Sequence, residues 1–146
     1  MDNILFETNF WKIILADDQY YLGRCYIPLK RECGDLAELK EDEIIDFFSL
    51  LKKLENAIRK AFGATMFNLT CLMNNAYKEK NPKPQVHWHL LPRYRNKVEF
   101  AGEVFEDKEF GHHYARGADR KLSSEVRNKI INNIKKYVEV RERSKK

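Results

Sequence analysis

The sequence predicts an α+β domain built on an antiparallel sheet of about five strands, with one long helix and a C-terminal helix. Three observations point there. Two β-rich runs, "FWKIILADD" and "GRCYIPL", are separated by the short "DQYYLG" and form a hairpin. A helical period then takes over from about residue 39 to 62, and strands resume after it. Paired strands, a helix and further strands imply antiparallel layering rather than a parallel βαβ sheet.

Each element has its own justification. Ile44, Phe47, Phe48, Leu51, Leu54, Ile58 and Phe62 recur at helical spacing and form the apolar stripe of the long helix. Gly63 is placed to end it. "MFNLTCLM" reads as a buried strand, and "NNAYKEKNPKP" as a polar loop that Pro82 and Pro84 hold towards extended backbone. The strand "QVHWHLL" follows. The stretch "FAGEVFEDKEFGHHYARG" reads as irregular, with two glycine-containing turns. A second helix spans about Ser124 to Arg143, with Val126, Ile130, Ile134, Tyr137 and Val138 as its stripe.

The 146 residues suit a single domain over 1–146, with a core at about 10–94 and a C-terminal loop and helix over 95–146. A chain this long buries roughly 68–70% of the surface it exposes when unfolded. No run approaches the ~18 apolar residues of a membrane span. The opening "MDNILFETNFWKI" is acidic before it is apolar, unlike a secretory signal. Cys25, Cys33 and Cys71 are odd in number and lack CxxC spacing, so they read as free thiols of a reducing, cytoplasmic compartment. The net charge of +5 is uneven: residues 120–146 carry ten Lys/Arg against three Glu, and the rest is slightly acidic. That segment reads as a solvated helix face and tail, or as a footprint for phosphate-rich ligands or nucleic acid, with non-specific affinity at most.

The strand near residue 87 carries the chemistry. Side chains alternate between the faces of a strand. Val86, Trp88 and Leu90 therefore point into the core, under the long helix, while Gln85, His87 and His89 share the other face beside a concave pocket. Packing gives no reason for that polar face. Three readings follow: incidental histidines on a half-exposed strand, a metal site, or nucleophilic catalysis by an imidazole. A metal site needs a third ligand, and none lies close downstream; His112 and His113 read as part of a C-terminal loop rather than as ligands.

"QVHWHLLPRY" resembles the signature of the histidine triad (HIT) superfamily, His-φ-His-φ-His-φ-φ followed by Pro-Arg, where φ is apolar. "GRCYIPLKRECGDLAEL" resembles the family's second-strand segment and the approach to its long helix, and "FNLTCLMNN" its asparagine-containing strand. The likeness covers about Phe10 to Tyr94. It implies a homodimeric enzyme that binds a nucleoside phosphate and cleaves at the α-phosphorus through a covalent nucleotidyl-histidine, without cofactor or obligatory metal. The substrate classes it implies are nucleoside phosphoramidates, adenylylated compounds and dinucleoside polyphosphates. By position His87 is the nucleophile, and His89 stabilises charge on a phosphate oxygen. The carbonyl of the first triad residue, Gln85, holds the nucleophile's other nitrogen. Asn74, Asn68 and Asp17 fall where the family contacts phosphate or sugar.

The sequence departs from the pattern in three places. Gln85 replaces the first histidine. Glu32 or Cys33 stands where a histidine follows the second strand. "EKNPKP" replaces the Gly-Gln-Ser/Thr segment that contacts phosphate and leaving group, where Lys78, Lys80 or Lys83 could reach phosphate oxygens instead. Because a carbonyl does not depend on its side chain, Gln85→His is expected to be tolerated. Two alternatives stand beside this reading. One is aprataxin-like removal of adenylate from nucleic-acid ends, favoured by the basic C-terminus. The other is a nucleotide-binding module without turnover, favoured by Gln85.

Overall fold

The structure is a computed structural model that describes residues 3–143, with side chains described to residue 138. Much of the basic tail, including residues 144–146, therefore lies outside the described residues. Strands β1 (Ile4–Glu7), β2 (Lys12–Leu15), β3 (Cys25–Pro28), β4 (Met66–Thr70) and β5 (His87–Arg93) form one sheet in the order β1-β2-β3-β5-β4, with every pairing antiparallel. The long helix α1 runs Glu41–Phe62 and α2 runs Ser124–Arg143. No helix among the described residues is long and apolar enough to cross a membrane.

Register sorts the sheet into two faces. Leu15, Cys25, Leu90 and Leu69 form one cross-strand row, and Ile14, Tyr26, His89 and Thr70 the next. Neighbouring rows face opposite ways. The first row lies in the core with Trp11, Ile13, Ile27, Leu54 and Ile58. Trp88 belongs to that face and stacks on Phe47 of α1, ring centroids 4.9 Å apart. Helix α2 packs on α1 and β1, burying Ile130, Ile131 and Ile134. The second row is left open, and the site forms there.

Helix α1 has clear ends. Glu41, Asp42 and Glu43 crowd its first turn and Arg59 and Lys60 its last, each sign opposed to the helix dipole. Gly63, at φ 76°, closes it by donating to the Arg59 carbonyl at 2.8 Å. Glu43 is buried. It accepts from the Lys40 main-chain N–H at 2.8 Å and from Arg31 Nε and Nη2 at 2.7 and 2.9 Å. The Arg31 guanidinium holds the Glu43 carboxyl below the usual carboxylate range. This pair ties the segment leaving β3 to the start of α1.

Three expectations need correction, and one strand lies outside the runs read as β-rich. The core stripe of α1 is Phe47, Leu50, Leu54, Ala57, Ile58 and Phe62, whereas Ile44 is 41% and Phe48 56% exposed. "MFNLTCLM" is not a buried strand: β4 is the sheet edge, Met66 is exposed and the rest of β4 is half-buried. The N-terminal segment supplies β1. The "irregular" stretch holds a second hairpin, β6 (Val98–Phe100) with β7 (Glu103–Phe105), which turns through Ala101 and Gly102 at φ 52° and 80°.

Candidate functional site

The site is assembled on β5, which lies between β3 and the edge strand β4. His87 and His89 project from its open face with ring centroids 5.1 Å apart and planes near perpendicular. Tyr26 of β3 lies 5.1 and 5.6 Å from the two rings. His87 Nδ1 sits 2.8 Å from the Gln85 carbonyl. A carbonyl only accepts, so Nδ1 carries the proton and the Nε2 lone pair is free. His89 is drawn down to about 4, first by burial and then by the charges of Arg24 and His87, so its ring is neutral near pH 7. Its Nδ1 is buried without a hydrogen-bond partner.

Gln85 precedes the strand, and its side chain does not line the pocket. The carboxamide turns to the segment leaving β3. Nε2 donates to the carbonyls of Leu29 and Arg31 at 2.9 and 2.8 Å, and Oε1 accepts from the Cys33 N–H at 3.0 Å. Val86 N–H returns a bond to the Cys33 carbonyl at 2.8 Å. One glutamine thus clamps residues 29–33 against the strand that carries His87.

Two cavities meet at Arg24 and His89. The larger, ≈ 530 Å³, contains both histidines, Asn74, Lys78 and the segment from Tyr114 to Ala118. The smaller, ≈ 410 Å³, is lined by Ile14, Asp17, Asp18 and Tyr26. Arg24 Nη1 donates to Asp18 Oδ2 at 3.0 Å across their junction. Asp18 Oδ1 also accepts from the N–H groups of Tyr20 and Arg120 at 2.9 and 3.0 Å. Met73 lines the larger cavity at φ 60°, a left-handed conformation that strains a side chain of this size.

The far wall is held by a buried ion pair. Arg93, at the end of β5, donates from Nε and Nη2 to Asp107 at 2.7 and 3.1 Å, and both side chains are buried. Arg93 Nη1 donates to Asn68 Oδ1 at 2.8 Å and to the His112 carbonyl at 2.9 Å. Tyr21 adds to it: its hydroxyl donates to Glu109 at 2.9 Å and accepts from Ala115 N–H at 2.8 Å. The loop after β7 is thereby folded over the open face of the sheet. In the turn between β2 and β3, buried Gln19 donates to the carbonyls of Ala16 and Arg24 at 2.9 and 3.0 Å. It accepts from Gly23 N–H at 2.8 Å, with Gly23 at φ 87°.

The anticipated residues therefore divide. His87, His89 and Asn74 meet in the larger cavity, and Asp17 lies in the smaller one, exposed and 3.3 Å from Asn3 Nδ2. Asn68 shares their face, but its carbonyl oxygen is committed to Arg93. Of the three loop lysines only Lys78 lines the cavity. Arg24, Asp18, Tyr26 and Arg116 escaped the sequence reading. For Tyr26 a signal existed, since pairing β3 to β5 places it opposite His89. Among the described residues no group of three or more His, Cys, Asp or Glu could hold a metal ion.

Known proteins share this architecture. Among curated proteins no sequence matches. Among solved structures, a hypothetical histidine triad nucleotide-binding protein from Sulfolobus tokodaii superposes with a TM-score of 0.71 at 16% identity, covering 95% of this chain and 85% of that one. A zinc-bound histidine triad family protein from Mycobacterium smegmatis gives 0.68 at 14% identity, covering 99% and 88%. A diadenosine triphosphate hydrolase from Plasmodium falciparum gives 0.64 at 18% identity, covering 94% and 76%. At these identities the likeness is one of fold. The sequence itself matches the HIT domain family model over residues 1–96, which takes in β1 through β5 and the His87–His89 strand, and the chain belongs to the histidine triad (HIT) family.

Proposed function

We propose that this protein is a nucleotide hydrolase or transferase that cleaves at the α-phosphorus of a phosphoramidate, adenylylated or dinucleoside polyphosphate substrate. The observation that carries the reading is the 2.8 Å contact between His87 Nδ1 and the Gln85 carbonyl. It sets the tautomer a nucleophile needs, in a cavity large enough for a phosphate chain. The Nε2 lone pair forms a bond to phosphorus as the bond to the leaving group breaks, and the leaving group takes that electron pair. Water or another acceptor then attacks phosphorus, the P–N bond breaks, and its electrons return to Nε2. His89, neutral and unpartnered at Nδ1, donates from Nε2 to a non-bridging oxygen as charge grows there. Asn74 contacts phosphate, and Asp17 in the adjoining cavity holds ribose hydroxyls. Asn68 acts on the site through Arg93 rather than through the nucleotide.

The diadenosine triphosphate hydrolase among the fold neighbours lends this reaction class support. A homodimer belongs to the proposal. Ile44, Ile45 and Phe48 leave an apolar patch on α1, and β4 leaves an open sheet edge. Three free cysteines fit a cytoplasmic setting. Intact-protein mass spectrometry after mixing with an adenylyl phosphoramidate or diadenosine triphosphate tests the chemistry. A nucleotidyl adduct that vanishes in His87→Ala is expected. Tight binding with neither adduct nor product would instead make the protein a nucleotide-binding module.

A further inference from the structure

The two cavities differ in charge. The smaller carries the carboxylates of Asp17 and Asp18. No carboxylate lines the larger one; its cationic side chains are Arg24, Lys78 and Arg116, beside the two imidazoles. Arg24 is already paired with Asp18. Among the described residues neither Lys78 nor Arg116 has an ion-pair partner. The two come from different segments. Lys78 ends the short 3-10 turn Asn75–Lys78, and Arg116 sits in the loop that the Arg93–Asp107 pair folds over the sheet. Two uncompensated cations from separate segments thus line the cavity of the nucleophile.

This inference rests on the proposed chemistry at His87. With ribose against the carboxylates of the smaller cavity and the α-phosphorus at His87, the leaving group takes what remains of the larger cavity. We infer that Lys78 and Arg116 are specificity-determining residues that select a leaving group bearing phosphate, a nucleoside polyphosphate or a phosphorylated compound, over an amine. Proton supply agrees. When the bond from phosphorus to the bridging oxygen breaks, a phosphate departs as a stable anion and needs no proton. An amine must be protonated as it leaves. The imidazole beside His87 is held neutral, and no carboxylic acid lines the cavity. A cationic amine would also meet two like charges.

The test compares wild type with Lys78→Gln, Arg116→Gln and the double variant. Both side chains are exposed, so the substitutions leave the core intact. The first readout is kcat/KM for diadenosine triphosphate and for an adenosine 5′-phosphoramidate of an alkyl amine. Each single substitution is expected to lower the first about tenfold, the worth of one hydrogen bond to a charged group, and to leave the second within about threefold. Equal losses on both substrates would overturn the inference. The second readout needs no turnover: the binding ratio of nucleoside diphosphate to monophosphate, in an adenosine and a uridine series. Wild type should prefer the diphosphate, and the double variant should lose that preference. If wild type turns over neither substrate but prefers the diphosphate and the double variant loses that preference, the enzymatic reading fails while the anion-selective role stands. A wild type with no preference in either series, or a double variant that keeps it, overturns the role itself.

Discussion

Replacing Gln85 should cost the fold more than it costs the chemistry. The side chain makes three hydrogen bonds, two donated to the Leu29 and Arg31 carbonyls and one accepted from the Cys33 N–H. In Gln85→Ala all three main-chain groups lose their partner. At about 0.5–1.5 kcal/mol per bond, the loss is about 2–4 kcal/mol. Water reaches this half-buried region, which keeps the cost away from the upper limit for fully buried groups. In a domain of this size that corresponds to a fall in Tm of roughly 6–12 °C. The Gln85 carbonyl survives, so the His87 tautomer survives too, and single-turnover rates at low temperature should fall far less than in His87→Ala. Histidine is not an equivalent replacement, contrary to the expectation from the family pattern. An imidazole has two ring nitrogens, one donor and one acceptor when neutral. It can meet at most two of the three main-chain groups, so Gln85→His should also be less stable than wild type. Gln85→Glu should be worse than Gln85→Ala at neutral pH, because a carboxylate would face two carbonyl oxygens. Urea denaturation of the four proteins measures this order. A Gln85→Ala loss below about 0.5 kcal/mol, less than one average bond, would refute the clamp.

Three further outcomes follow from the same geometry. His87→Ala should abolish both turnover and adduct, whereas His89→Ala should keep residual single-turnover activity with a loss of about 2.7–4 kcal/mol in transition-state stabilisation, as for removal of an oxyanion donor; appreciable turnover by His87→Ala would refute the nucleophile. The His89 ring titrates at about 4 in the folded protein against about 6.5 when unfolded, so the unfolded chain takes up its proton first; stability from this group is complete above pH ~6.5 and is lost as pH falls towards 4, and the drop in urea midpoint from pH 7 to 4.5 should be smaller in His89→Asn than in wild type. Asp107→Asn leaves the buried Arg93 guanidinium without its counter-charge and should destabilise by about 3–5 kcal/mol, with hydrogen exchange in the loop over 106–118 accelerating before that of α1.

The residues that were legible in the sequence are those whose period betrays them. His87 and His89 stand at a two-residue spacing on a strand whose other face is apolar, and no packing argument accounts for them. The ends of α2 and the glycine cap of α1 were readable for the same reason, because each is a local pattern. Period alone failed where geometry decides. Ile44 and Phe48 fit a helical stripe, yet the buried arc of α1 runs through Phe47, Leu50 and Leu54, and those two face outwards. The hairpin of β6 and β7 was missed because three-residue strands are too short to show alternation. The cavity walls left no periodic trace at all. Lys78 and Arg116 are single charges in loops, and polar ties between distant segments shape the surroundings of His87: Arg93 to Asp107, buried, with Tyr21 to Ala115 and Gln85 to Leu29 and Cys33 half-buried. Desolvation offsets much of the attraction in a buried pair such as Arg93–Asp107, but the pair is highly directional. A strand can thus present the same two histidines to phosphorus while such ties decide which loop charges stand around them. On this argument, exchanging the loop over 106–118 together with its partner Arg93 should change leaving-group preference, whereas exchanging residues 87–91 of β5 should change the rate.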